Sequence, residues 1–145
     1  MYRHILIATD GSDVARKAVQ HGLQLAKSCG AKVTGVMATE MWSALDVAGP
    51  GGPTRIEAYE AAASNAAKLV LDGFSEAAKA HEVAAETLHV PDSEPADAII
   101  WSAERLGCDL IVVGSHGRRG IERLLLGSQT QGVITRAKCP VLVYR

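Results

Sequence analysis

The sequence predicts an α/β protein, a single domain built on a parallel sheet with helices on both faces. Three observations lead there. Five short runs rich in apolar and β-branched residues recur along the chain: His4 to Thr9, Lys32 to Thr39, Val83 to Val90, Leu110 to Val113 and Val141 to Tyr144. Between them lie longer segments whose apolar residues repeat at helical spacing. The 145 residues are 48% hydrophobic and 21% charged, which suits one globular domain with its own core. Strands that alternate with helices are joined by right-handed crossovers, so they run parallel and the helices cover the sheet.

Each element has its own warrant. After the first strand, Asp10-Gly11-Ser12 is a turn, with Ser12 as N-cap of a helix. Ala15, Ala18, Val19, Gly22, Leu23 and Ala26 form the apolar stripe of that helix, and Gly30 ends it. Beyond the second strand, Glu40 to Thr54 crowds glycine and proline into Gly49 to Pro53 and reads as a long, mobile loop. The second helix sets Ile56, Tyr59, Ala63, Ala66, Val70, Phe74 and Ala77 at near-helical period, and its many alanines suit close packing on a sheet. After the third strand, Pro91-Asp92-Ser93 turns the chain into a helix over Glu94 to Leu106. Pro95 fits the first turn of that helix, and Ala96, Ile99, Ile100 and Ala103 face inward, with Trp101 packing within it. A last helix follows Gly127-Ser128-Gln129-Thr130, where Val133, Ile134 and Ala137 recur at helical spacing.

Charge and cysteine usage exclude several classes. A net charge of −1 gives no bulk attraction to nucleic acid or to an anionic membrane. No run approaches the ~18 apolar residues of a membrane span. The first residues, MYRHILIATD, enter a strand without a leader pattern, so the expected compartment is the cytoplasm. Cys29, Cys108 and Cys139 lack C-x-x-C spacing and suggest neither a disulfide framework nor a thiolate zinc site. Cys108 and Cys139 each stand at the start of a strand and read as buried small hydrophobes. His4, His21, His81 and His89 are scattered without metal spacing.

The richest stretch runs from Asp109 to Arg136: a buried strand, then Gly114, Gly117 and Gly120 around Ser115, His116, Arg118 and Arg119, then Gly127-Ser128 opening a helix. Strand, glycine loop and helix start present bare backbone N–H groups to a phosphate. Glycine suits the loop by tolerating positive φ and by letting a ligand approach closely. Gly114, Gly117, Gly127 and Ser128 spell G-x2-G-x9-G-[ST], and here the chain resembles the universal stress protein family, whose ATP-binding members carry this pattern. HILIATDGSD at one end and KCPVLVYR at the other also look like that family's ends, so the resemblance covers nearly the whole chain.

The resemblance implies a doubly wound, Rossmann-like sheet of five strands in the order 3-2-1-4-5. Its topological switch lies between strands one and four, and ligands bind outside the carboxyl ends of the strands there. It further implies that Ala8, Thr9 and Asp10 face the nucleoside and that Met37 offers backbone groups to adenine. Gly114, His116, Gly117, Gly127, Ser128, Gln129 and Thr130 complete the expected nucleotide site. The resemblance makes ATP, or AMP, the expected ligand, with Mg²⁺ as its companion. Asp10 either accepts from a ribose hydroxyl, holds Mg²⁺ through water, or serves only as a turn aspartate. Met37 is equally a natural core residue, and His116 a donor to phosphate or a solvated loop residue. Arg118, Arg119 and Arg123 read as a basic face beside the loop, Leu124-Leu125-Leu126 as packing that pins it, and Trp42 as a cover over the crevice.

No G-x-x-x-x-G-K-[ST] occurs, no G-x-G-x-x-G follows a strand, and Ser115-His116 lacks a nucleophile elbow. No catalytic base or nucleophile is named, and the site reads as one that holds a nucleotide. The leading function is a stress-response regulatory or sensing module. A slow ATP hydrolase or nucleotide-dependent transferase and a scaffold without nucleotide remain the alternatives. The final strand, Val141-Leu142-Val143-Tyr144, has little charge and nothing after it to cover its edge, so a homodimer through that strand is expected.

Overall fold

The computed structural model describes residues 1–117 and 126–145. The expectations for Arg118, Arg119, Arg123, Leu124 and Leu125 lie outside the described residues. In chain order the elements are β1 (His4–Ala8), α1 (Asp13–Cys29), β2 (Lys32–Ala38), α2 (Gly52–Ala80), β3 (Ala85–Val90), α3 (Pro95–Leu106), β4 (Leu110–Gly114), α4 (Ser128–Arg136) and β5 (Val141–Tyr144). The sheet order is β3-β2-β1-β4-β5 and every pair is parallel. This is the doubly wound order that the resemblance implied.

Alternation along the strands divides the core into two layers. Ile5 and Ile7 of β1 and Leu110 and Val112 of β4 face one side, against Ala18, Val19, Leu23 and Ala26 of α1 and Phe74 and Ala78 of α2. Leu6, Ile111 and Val113 face the other side, against Ala96, Ile99 and Ala103 of α3 and Val133 of α4. Both faces are thus covered, which is why β1 and β4 read as unbroken apolar runs. Small residues set the spacing on the first face. A Cβ at Gly22 would lie 2.7 Å from Ile7, and one at Gly35 would lie 2.6 Å from the Phe74 ring.

The ends of α1 follow the sequence closely. Ser12 accepts from the Ala15 N–H, Gly30 closes the helix at φ 67°, and the buried residues are the stripe read from periodicity. Two boundaries differ by more than one residue, and the buried face of α2 is shifted. α2 starts at Gly52, inside the expected loop, because Pro53 takes a first-turn position where its missing N–H costs nothing. β3 starts at Ala85 rather than Val83, since the Val83 N–H returns to the Ala78 carbonyl and closes the end of α2. The most buried line of α2 is Ala67, Leu71, Phe74 and Ala78, with Ala66, Val70 and Ala77 only half-buried beside it. Within α3, Ile100 is half-buried, and Trp101 is exposed with the Arg105 guanidinium 4.9 Å from its ring centre. Among the described residues β5 pairs with β4 alone and forms one edge of the sheet.

Candidate functional site

The strand order places the carboxyl ends of β1 and β4 side by side, with their connections leaving on opposite faces of the sheet. A crevice opens at such a switch point. Two helices begin there, α1 just after β1 and α4 over Gly127-Ser128. Each helix start presents N–H groups without intrahelical partners and the positive end of the helix dipole.

On the β1 side, Thr9 is buried and Asp10 half-buried. The Thr9 N–H donates to the Val36 carbonyl at 2.9 Å, which ties the end of β1 to the end of β2. Its hydroxyl accepts from the Gly11 N–H at 3.2 Å, and Asp10 Oδ1 accepts from the Ser12 N–H at 2.9 Å. Gly11 lies at φ 79°, a left-handed conformation that this tight turn requires. The turn role of Asp10 is therefore real. It uses one carboxylate oxygen and sets the other, Oδ2, toward the glycine loop.

On the β4 side, the loop is seated by hydrogen bonds that cross long sequence separations. The Ser115 N–H donates to Tyr144 at 2.7 Å, the Gly127 N–H donates to Ser115 at 2.8 Å, and the Thr130 hydroxyl donates to the Gly114 carbonyl at 2.9 Å. The first turn of α4 is thus fastened to the last residues of β4. Gln129 fastens it to α3: its Oε1 accepts from the Ala96 N–H at 2.9 Å, and its Nε2 donates to Glu94 at 3.0 Å. The side chains of Gln129 and Thr130 hold the frame, while Ser128 is exposed at the helix start. Ser115 Oγ lies 3.1 Å from His116 Nδ1, and the His116 ring is half-buried.

The glycines are explained by close approach rather than by backbone angle. Gly114, Gly117 and Gly127 are not among the glycines at positive φ. A Cβ at Gly114 would sit 2.9 Å from Val14, one at Gly127 3.3 Å from the His116 Cα, and one at Gly117 2.7 Å from Asp10 Oδ2. The last contact joins the two halves of the crevice.

Met37 lies in β2, one strand from the crevice. It is buried against Ala67 and Leu71, so its side chain belongs to the core. Val33 donates to Ala84 and Thr39 to Val90, so alternation also turns the Met37 backbone toward β3. Ala38, the neighbouring residue, turns toward the β1 side, where β1 has ended. The residues that sequence reasoning missed are Val14, against which Gly114 packs, and Glu94, which anchors Gln129. Neither carries a local signal, because each acts across a long sequence separation. Trp42 is half-buried within the segment between β2 and α2.

Among the described residues no cluster of three or more His, Cys, Asp or Glu could hold a metal ion, and no helix is long and apolar enough to cross a membrane.

Comparison with known proteins agrees with this architecture. The universal stress protein MJ0531 of Methanocaldococcus jannaschii is 35% identical over 151 aligned residues, covering all of this chain and 83% of that protein. The universal stress protein UspA of Lactobacillus plantarum superposes with a TM-score of 0.81 at 27% identity, covering 99% of this chain and 98% of that one. A universal stress protein solved in complex with cAMP superposes at 0.71 and is 27% identical, covering 99% of this chain and 97% of its own. A family model described as the universal stress protein family matches residues 1–145. With the family model matching the whole chain and a relative 35% identical across it, the chain belongs to the universal stress protein family.

Proposed function

We propose that the crevice between β1 and β4 binds an adenine nucleotide, ATP or AMP, and that the protein is a nucleotide-dependent regulatory module. The observation that carries this is the convergence of two helix starts on the point where Gly117 approaches Asp10. Phosphates would take the N–H groups of His116 and Gly117 and of the α4 start at Ser128, Gln129 and Thr130, with the His116 ring at the loop's edge; the N–H groups of Ser115 and Gly127 are already donated to Tyr144 and Ser115, and Gly114 and Gly127 serve by close approach. Hydrogen bonds to charged groups contribute about 1.5–3 kcal/mol each, and a helix start adds ~0.3–2 kcal/mol. A handful, less the cost of immobilising the ligand, reaches the roughly 8 kcal/mol of micromolar binding. The ribose would meet Asp10 and Thr9, and the base would lie beside Ala8 against the Met37–Ala38 end of β2. The relative bound to cAMP supports an adenine ligand in a protein of this fold.

Asp10 Oδ2 is also the group best placed to hold Mg²⁺ through water when the ligand is ATP, because a hard cation prefers oxygen ligands. The edge strand β5 supports a homodimer: its side chains pack on both faces of the sheet, while its outer backbone edge has no strand partner among the described residues. Pairing of two copies about a two-fold axis would cover both edges. We assign the protein to the cytoplasm, where millimolar ATP is present.

Calorimetry with ATP, AMP and adenosine, with and without Mg²⁺, tests the reading on wild type and Asp10→Ala. Equal loss for all three ligands in the variant assigns Asp10 to the ribose, and loss confined to ATP with Mg²⁺ assigns it to the metal. Wild-type protein that takes up none of the ligands at millimolar concentration refutes the proposal.

A further inference from the structure

A cavity lies at the end of the sheet opposite the crevice. Cys108 precedes β4 and Cys139 precedes β5, whereas Gly114 and Tyr144 end those strands. At ~3.3 Å per residue, the length of β4 separates this end from the crevice by roughly 16 Å. The cavity holds about 220 Å³, and both cysteines line it. The rest of its wall is largely apolar, with Ile100, Ala103, Ile111 and Ala137. Its two charged residues, Glu104 and Lys138, pair with one another at 3.1 Å. Both thiols are free.

The donor set decides the chemistry. Two thiols are the uncommitted side-chain donors lining the cavity. A hard cation takes six or more oxygen ligands, and a structural zinc takes four nitrogen or sulfur ligands. Neither set is present. Thiolate sulfur is soft and selects soft ions, copper(I) among them. We propose that Cys108 and Cys139 form a two-thiolate site for a soft monovalent cation of the copper(I) class.

Binding breaks two S–H bonds, forms two sulfur–metal bonds and releases two protons to solvent, without any change of oxidation state. The bound unit carries one net negative charge beside the Glu104–Lys138 pair at the rim. Without metal the site stays protonated: burial first, then the neighbouring Cys139 and Asp109, push the Cys108 thiol up to about 11. Burial likewise raises Cys139.

The test titrates reduced full-length protein, without oxygen, with copper(I) supplied as its acetonitrile complex against a chromogenic copper(I) chelator. Wild type and Cys29→Ser should each retain one ion per chain, and a pH-stat should record two protons released. Loss of an outer-shell partner alone weakens metal sites about 10- to 100-fold, so Cys108→Ala or Cys139→Ala should weaken retention by more than ~100-fold. Circular dichroism establishes that the variants fold. If Cys108→Ala does not, X-ray absorption of copper-loaded wild type decides, with two sulfur neighbours supporting the site and nitrogen or oxygen neighbours overturning it. Retention that survives both alanine variants, depends on Cys29, or gives way to a Cys108–Cys139 disulfide also overturns it.

Discussion

Thr130 offers a sharp test of how the site is held. Its hydroxyl donates to the Gly114 carbonyl at 2.9 Å, and the residue is only 7% exposed. Thr130→Val keeps the side-chain shape but removes the donor. A net hydrogen bond is worth about 0.5–1.5 kcal/mol, and a buried acceptor left without a partner costs about 1–3 kcal/mol. Gly114 is half-buried, so water partly compensates and the lower part of that range applies. The expected loss of stability is about 1–2 kcal/mol, or roughly 3–8 °C in Tm for a domain of this size. Nucleotide affinity should also fall by ~10-fold, equivalent to about 1.4 kcal/mol, because the start of α4 is no longer held to the end of β4. Thermal denaturation and calorimetry on Thr130→Val beside Thr130→Ser check both numbers, since serine keeps the hydroxyl. A valine variant as stable as wild type, with a serine variant that loses stability, would show that the methyl group matters and refute the latch.

Three further outcomes are expected. Gly117→Ala would place a Cβ 2.7 Å from Asp10 Oδ2 and force that carboxylate aside; calorimetry should show ~10-fold or greater loss of nucleotide affinity, with stability within about 1 kcal/mol of wild type. His4 is buried, with Nε2 2.8 Å from Thr34 Oγ1, and burial followed by Lys32 lowers its pKa from 6.5, against the Leu106 carbonyl, Glu86 and Asp109. The unfolded chain therefore binds this proton more readily, so stability is full above 6.5 and declines as pH falls through the lower folded value; urea midpoints at pH 8 and pH 5 should differ more for wild type than for His4→Gln, and equal shifts would remove His4 from the account. For the edge strand, sedimentation at micromolar concentration should give a wild-type dimer and a Val141→Lys/Val143→Lys monomer, and a monomeric wild type would disprove the proposed pairing.

The sequence carried those features that repeat locally. The α1 stripe, its Ser12 cap and its Gly30 stop are readable because period, cap and terminator all agree over a few residues. The face of α2 was legible only approximately. Alanines at adjoining positions give the same small side chain, so periodicity cannot choose between Ala66 and Ala67, and the packing partner Phe74 decides. Gly52-Pro53 reads as loop punctuation in sequence, yet the proline opens the helix, as Pro95 does in α3. In the candidate site, the glycine spacing announced the loop, but not what each glycine touches. Gln129 and Thr130 are polar residues at a helix start, and nothing local reveals that their side chains turn back to Ala96 and Gly114. The buried His4–Thr34 pair went unnoticed for the same reason, since its partners lie on adjacent strands.

Mass spectrometry of the small molecules released from freshly purified, undialysed protein, followed by calorimetry on the stripped protein, tests the central claim most directly. The crevice geometry predicts a co-purifying adenine nucleotide, rebound at one per chain with micromolar affinity, and its loss in Gly127→Val, where a side chain would press on the His116 backbone. Protein that releases no nucleotide and binds none when stripped, or a folded Gly127→Val that binds as wild type does, would contradict it.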